Sequence, residues 1–159
     1  MATLTANRSA NKLIPAHAAG LRMTMLTNVI DFATVEATDG ITLGSTDTYQ
    51  LIGVPKGFVV TAAGFEILTA ETTNTTAKVS LGDGGGTTRY TIATLINGTA
   101  GDYTGVPVDI TYQYTADDTI DLLGSVAAPT DGKLRVWVVG FDVNDVGSTA
   151  DTRDANTWS

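Results

Sequence analysis

Lys133-Leu134-Arg135-Val136-Trp137-Val138-Val139-Gly140-Phe141-Asp142-Val143 is apolar on both sides of an extended chain. Leu134, Val136 and Val138 fall on one side, Trp137, Val139 and Phe141 on the other, because successive side chains of a strand point to opposite faces. A segment that is apolar on both sides needs cover above and below, which predicts a central strand running over 133–143. Trp137, set among Val136, Val138 and Val139, is expected in the core.

A central strand needs partners on both flanks, and the rest of the chain offers them. Val108, Ile110, Tyr112 and Tyr114 alternate with Asp109, Thr111 and Gln113, the clearest period of two in the sequence. Residues 58–69 give the longest further strand, with Val59, Phe65 and Ile67 on one face and Glu66 on the other. Shorter strands are expected near 23–33, 49–54, around Val79 and Leu81, over 89–96, and around Ile120 and Leu122. Between them stand turn signals: Asp39-Gly40, Pro55-Lys56-Gly57, the polar run 71–75, Gly82-Asp83-Gly84-Gly85-Gly86, Asn97-Gly98 and Asp131-Gly132. No helical period exceeds about two turns.

About eight strands with unequal loops predict an antiparallel β-sandwich, of jelly-roll type, over 23–145. An extended N-terminal arm (1–22) precedes it and a polar tail (146–159) follows. The inward set is expected to be Val59, Phe65, Ile67, Val79, Leu81, Ile92, Val108, Ile110, Tyr112, Ile120, Leu122, Val136 and Val138.

Composition agrees. The 159 residues include 28 Thr and 17 Gly, and the charged fraction is only 16%. Threonine is branched at Cβ, which suits a pleated strand better than a helix. The net charge of −8 divides into +3 over the first 30 residues, which hold Arg8, Lys12 and Arg22 and no acid, and −11 over the rest. An acidic body argues against binding nucleic acid, whose phosphates need a positive surface. No apolar run reaches the ~18 residues of a membrane-spanning helix.

The chemistry-bearing residues are few. There is no cysteine, and His17 is the single histidine, so disulfides, Cys/His zinc sites and the usual nucleophile–base pairs are excluded. The glycine run 82–86 has no Lys-Ser/Thr leading into a helix, as a phosphate loop requires. Asp142, Asn144 and Asp145 resemble the start of a calcium loop but lack its glycine and bidentate glutamate. Asp117, Asp118 and Asp121 form a second acidic cluster, read as a solvated strand end. Asp109 and Asp121 are expected on outward faces, and Glu66 has no partner that the sequence identifies. No catalytic residue, metal or cofactor is expected. Trp158, a large ring in a polar tail, either tucks onto its own domain or docks on a neighbour.

The run from Pro55 to Leu81 contains Lys56-Gly57-Phe58-Val59-Val60, Phe65-Glu66-Ile67-Leu68 and Lys78-Val79-Ser80-Leu81-Gly82. Together with Asp117-Asp118-Thr119-Ile120-Asp121-Leu122 and Asp131-Gly132-Lys133-Leu134-Arg135-Val136-Trp137-Val138, it resembles small structural proteins of tailed bacteriophages, head decoration (cement) proteins among them. That resemblance implies a non-enzymatic sandwich on the outer surface of a virion's capsid. It would bind the lattice of the major capsid protein, commonly as a trimer, without nucleic acid or membrane as partner. Arg8, Lys12, Arg22 and Trp158 are the expected partner-binding residues. A tail, collar or fibre component would carry the same strand patterns, and a glycan-binding module is the rival class.

Overall fold

The computed structural model describes residues 23–39, 44, 47–104 and 112–143. At the centre of one sheet lies the strand that is apolar on both sides. β9 (Lys133–Asp142) is flanked by β1 (Thr24–Asp31) and by β3 (Phe58–Thr69), both antiparallel to it. Two short strands, β6 (Tyr103–Thr104) and β7 (Tyr112–Gln113), pair with opposite ends of β3, giving the order β1-β9-β3-β6 with β7 beside β3. The second sheet has the order β2-β8-β4-β5, made in turn of Thr48–Val54, Asp118–Ser125, Lys78–Asp83 and Gly86–Leu95. The chain is thus an all-β, two-sheet antiparallel sandwich.

The core lies between the sheets. Phe65, Leu134 and Val136 from one sheet and Val79, Leu81, Ile120 and Leu122 from the other have no exposed surface. At 2–5 kcal/mol for truncating a buried Leu or Ile to Ala, a handful of these contacts rivals the whole net stability of a domain.

Several expectations are corrected. Ile92, expected inward, is 69% exposed. The β4–β5 register slips between Val79 and Leu81 and again between Leu81 and Asp83, so β5 loses strict alternation. Tyr90, Thr91 and Ile96 are buried instead. Trp137 is not in the core: it shares the outward face of β9 with Arg135 and Val139, half-buried. Tyr112 is only partly buried against the core. Val108, Ile110 and Asp109 lie outside the described residues.

The first strand ends at Asp31, and Phe32–Asp39 forms a helix, α1. Asp31 caps it, its Oδ1 accepting the Thr34 N–H at 3.2 Å. Asn97-Gly98 does not close a hairpin. Beyond it the chain crosses to the other sheet, where β6 pairs with β3. Asp102 Oδ2 takes the Thr99 N–H at 2.8 Å, and Gly101 supplies the positive φ of 95°. Gly57 does the same at φ 93° in the Pro55–Gly57 turn, as the sequence requires.

Candidate functional site

Two buried carboxylates organise the ends of the sandwich. Glu71 follows β3 and is 1% exposed. Its Oε1 accepts the N–H groups of Thr73 (3.1 Å) and Asn74 (2.8 Å), and its Oε2 those of Thr130 (2.6 Å), Asp131 (3.1 Å) and Gly132 (3.3 Å). The loop before β4 and the loop before β9 are thereby tied to one side chain. Asp131 answers in the opposite direction, its Oδ1 taking the Thr72 N–H at 2.8 Å and the Thr73 N–H at 3.3 Å. Its carboxyl is held well below the usual range, first by the Glu71 side chain and then by the Thr72 donors.

At the other end, Asp83 closes β4 and is also 1% exposed. Its Oδ2 accepts from Arg89 Nε at 2.6 Å and from the Tyr114 hydroxyl at 3.0 Å, and its Oδ1 from the Gly85 N–H at 3.0 Å. Tyr90 and Tyr114 share a hydroxyl contact of 2.7 Å. Arg89 also lies 3.6 Å over the Tyr112 ring, which meets Tyr114 edge-on at 5.0 Å. Burial pushes both buried phenols far above their usual range, so they remain protonated donors. This set joins the β4–β5 hairpin to the segment after β7, bridging the two sheets.

Neither cluster presents an open cleft with a base beside a nucleophile. Each of the three clustered aspartates is engaged by its own chain. Asp117 accepts the Lys56 N–H at 2.8 Å, Asp118 the Thr119 N–H at 2.8 Å, and Asp121 the Thr119 hydroxyl at 2.6 Å. Asp121 faces away from the core, as alternation requires, yet it is 5% exposed rather than solvated. Burial raises its carboxyl above the ordinary value. Among the described residues, no three acidic or histidine side chains are grouped to hold a metal ion. Glu66 does have a partner: Arg135, directly across from it on β9, at 2.8 Å.

The sandwich also presents the two outward faces of its sheets. The outward face of the five-stranded sheet carries rows of cross-strand neighbours: Met25, Val139 and Ala62, then Thr27, Trp137 and Gly64. Met25 is 59% exposed, and Tyr103, at the far edge of the same sheet, is 67% exposed. The Trp137 Nε1–H is buried without an acceptor among the described residues. The outward face of the four-stranded sheet is polar over β2, β8 and β4, with Gln50, Thr119, Asp121, Lys78 and Ser80, whereas its edge strand β5 exposes Ile92 and Leu95. Arg8, Lys12, Arg22 and Trp158, the residues expected to bind partners, lie outside the described residues.

Chains of two bacteriophage capsids share this fold. One belongs to the capsid asymmetric unit of cyanophage Pam1, with a TM-score of 0.61 and 18% identity over 87% of this chain and 99% of that one. The other belongs to the acidic stable capsid structure of Helicobacter pylori bacteriophage KHP30, with a TM-score of 0.55 and 14% identity over 75% and 86%. No protein-family model and no curated protein matches the sequence.

Proposed function

We propose that this chain is a capsid decoration protein: a non-enzymatic jelly-roll unit that sits on the outside of a phage head and clamps neighbouring shell subunits. The observation that carries this reading is the likeness to the cyanophage capsid chain, which is matched over 99% of its length by 87% of this one. The likeness therefore extends over nearly the whole of that capsid chain, not over one part of it. The strand order supports the jelly roll when β6 and β7 are counted as parts of one interrupted strand. The composition of the site supports the structural role. Polar clusters lock the sandwich ends instead of lining a cleft, and apolar side chains are spent on an outward face, as they are at interfaces.

A clamp that binds the assembled lattice and not free subunits stabilises the lattice by mass action. Three-fold self-association accords with the low surface charge, since threonine costs less to desolvate than Lys or Glu. Electron cryo-microscopy of intact particles tests the reading. Density for this fold on the outer surface between shell subunits is expected, and density confined to the tail or portal vertex would overturn it. Heads lacking the protein are expected to release DNA at lower temperature than complete heads.

A further inference from the structure

Three asparagines lie among the described residues, and the fold treats one of them differently. Asn28 donates through Nδ2 to the Leu51 carbonyl at 2.7 Å, and its Oδ1 accepts the Val29 N–H at 2.8 Å. Asn74 donates through Nδ2 to the Ala128 carbonyl at 2.7 Å. Asn97 is exposed, and no group among the described residues holds its side-chain amide or the Gly98 N–H. The residue that follows differs too. Val29 and Thr75 are branched at Cβ and crowd their own backbone nitrogens, whereas Gly98 leaves its nitrogen open. The fold enforces that glycine, since a Cβ at position 98 would come within 2.6 Å of Asp102 Oδ2 and 3.2 Å of Ile67 Cδ1.

The pair sits where the length of the main chain matters. Just before it, Ile96 is wholly buried, its N–H donating to the Ala77 carbonyl at 3.3 Å and its carbonyl accepting the Glu71 N–H at 3.0 Å. Just after it, the Asp102 N–H donates to the Thr99 carbonyl at 3.0 Å. That turn is docked on β3: the Gly101 N–H donates to the Ile67 carbonyl at 2.8 Å, and the Ile67 N–H to the Asp102 carbonyl at 2.9 Å. Residues 97 and 98 therefore span two fixed points, one on each sheet.

We propose that Asn97 is a site of self-modification, at which the folded chain converts its own asparagine to aspartate and isoaspartate and so loosens the crossover to β6. The Gly98 backbone nitrogen attacks Asn97 Cγ. A bond forms between them, the Cγ–Nδ2 bond breaks, and Nδ2 leaves as ammonia with the proton of the Gly98 N–H, closing a cyclic imide. Water then opens the imide, so neither oxidant nor enzyme is needed. Opening at Cγ gives aspartate. Opening at the main-chain carbonyl routes the peptide link through Cγ and lengthens the main chain by a methylene between the two fixed points. Either product puts a carboxylate next to Gly98, against which Asp102 Oδ2 already packs, and like charges repel. The chemistry needs no capsid, so its failure would leave the decoration reading standing.

Ageing the purified full-length protein at neutral pH, followed by peptide mapping with mass spectrometry, tests the proposal. The peptide containing Asn97 is expected to acquire the mass of an acid in place of an amide and to split into aspartate and isoaspartate forms. Conversion should run about tenfold or more ahead of Asn28 and Asn74, whose amides must first break a hydrogen bond. Asn97→Gln, at an exposed position, should fold normally and block the reaction, because its longer side chain closes the ring less readily. The same mapping in urea supplies the counter-test. If the unfolded chain converts at Asn97 and the folded chain does not, the fold shields the site and the proposal is overturned. Conversion of Asn28 or Asn74 ahead of Asn97 would overturn it as well. Hydrogen exchange reads the consequence: the Ile67, Gly101 and Asp102 amides should exchange faster in the isoaspartate fraction than in fresh protein or aged Asn97→Gln. Equal exchange would overturn the loosening of the crossover.

Discussion

The two ends of β4 are held by opposite means. At its start, Glu71 is satisfied almost wholly by main chain, five N–H groups from two loops. At its finish, Asp83 is satisfied mainly by side chains: Arg89, Tyr114 and, through Tyr114, Tyr90. A main-chain clamp depends on loop shape and tolerates changes of the loop residues' side chains. A side-chain clamp depends on identities, but its parts have fallbacks. Arg89 keeps 18% of its side chain exposed and can turn to water. Removing Glu71 takes the acceptor from five amides at once, and of these the Thr73 N–H has a second acceptor at hand, Asp131 Oδ1 at 3.3 Å. The comparison therefore predicts unequal consequences for removing two equally buried acids.

Glu71→Ala is expected to be the most damaging change, costing about 3 kcal/mol, since the buried Gly132 donor and four further N–H groups, part-buried or exposed, lose their acceptor together. Glu71→Gln should recover part of this, keeping one acceptor oxygen. Urea unfolding reads the loss as a lower midpoint at constant slope. Hydrogen exchange at Asn74 and residues 130–132 should accelerate while β9 stays protected. A cost near that of an ordinary surface substitution would remove the distinction between the two ends.

Asp83→Asn is expected to cost roughly 2 kcal/mol, because a carboxylate hydrogen-bonded to Arg89 and Tyr114 is replaced by an amide that also turns donors toward them. Tyr114→Phe comes next at about 1 kcal/mol, losing the hydroxyl that links Tyr90 to Asp83. Because these groups touch, the double variant should cost less than the two single costs added together. Additive costs would mean that the three side chains do not act as one clamp.

The same contrast explains what is legible in the sequence. β9 and β3 are readable because burial on one or both faces writes a period of two, or an unbroken apolar run, into the chain. Glu71 is not, since the groups that hold it are amides, which nearly every residue possesses; a Thr-rich run such as 71–75 reads as a plain loop. Asp83 is hidden for a different reason. Its neighbours are glycines, and its partners Tyr90 and Tyr114 sit on separate segments that only the fold brings together. Ile92 turns outward because a register slip reverses alternation without leaving a mark in composition. Asn97-Gly98 is a sound local signal, overridden by a chain that crosses between sheets. The partner-binding reading of Arg8, Lys12, Arg22 and Trp158 rests on charge and apolarity alone, and all four lie outside the described residues.

Acidity sharpens the comparison further. Asp131 and Asp31 both have carboxyls held below their unfolded values, Asp131 by Glu71 and Thr72, Asp31 by Lys133 and the Thr34 N–H. A depressed folded pKa means that the unfolded chain binds the proton more tightly, so the stabilisation is complete above the unfolded value of about 4 and is lost as pH falls below it. Asp121 has the opposite sign. Its raised folded value means that ionisation costs stability, so Asp121→Asn should raise the thermal midpoint at pH 7 and give no gain at acid pH. Asp131→Asn should lower the midpoint at pH 7 and flatten its fall between about pH 4 and pH 2. A parallel acid profile in wild type and Asp131→Asn would show that the Glu71 end does not set the acid response.

The smallest expected effect probes what the Glu71 clamp holds in place. Val126, at the start of the loop that Glu71 grips at residues 130–132, has φ 70° and is 66% exposed. A β-branched residue in the left-handed region is strained, by about 1–2 kcal/mol, and its exposed side chain returns little by packing. Asparagine visits that region far more easily. Val126→Asn should therefore stabilise the fold by about 0.5–1 kcal/mol, seen as a raised urea midpoint. The gain depends on the clamp, because a loop released from Glu71 is free to leave the left-handed conformation and shed the strain. In a Glu71→Ala background the same substitution should gain close to nothing, a coupling that a double-mutant cycle reads directly. An equal gain in both backgrounds would mean that Val126 is fixed by its own turn, where the Ala127 N–H donates to the Ser125 carbonyl at 2.9 Å, and that the Glu71 clamp reaches no further back along the loop than Thr130.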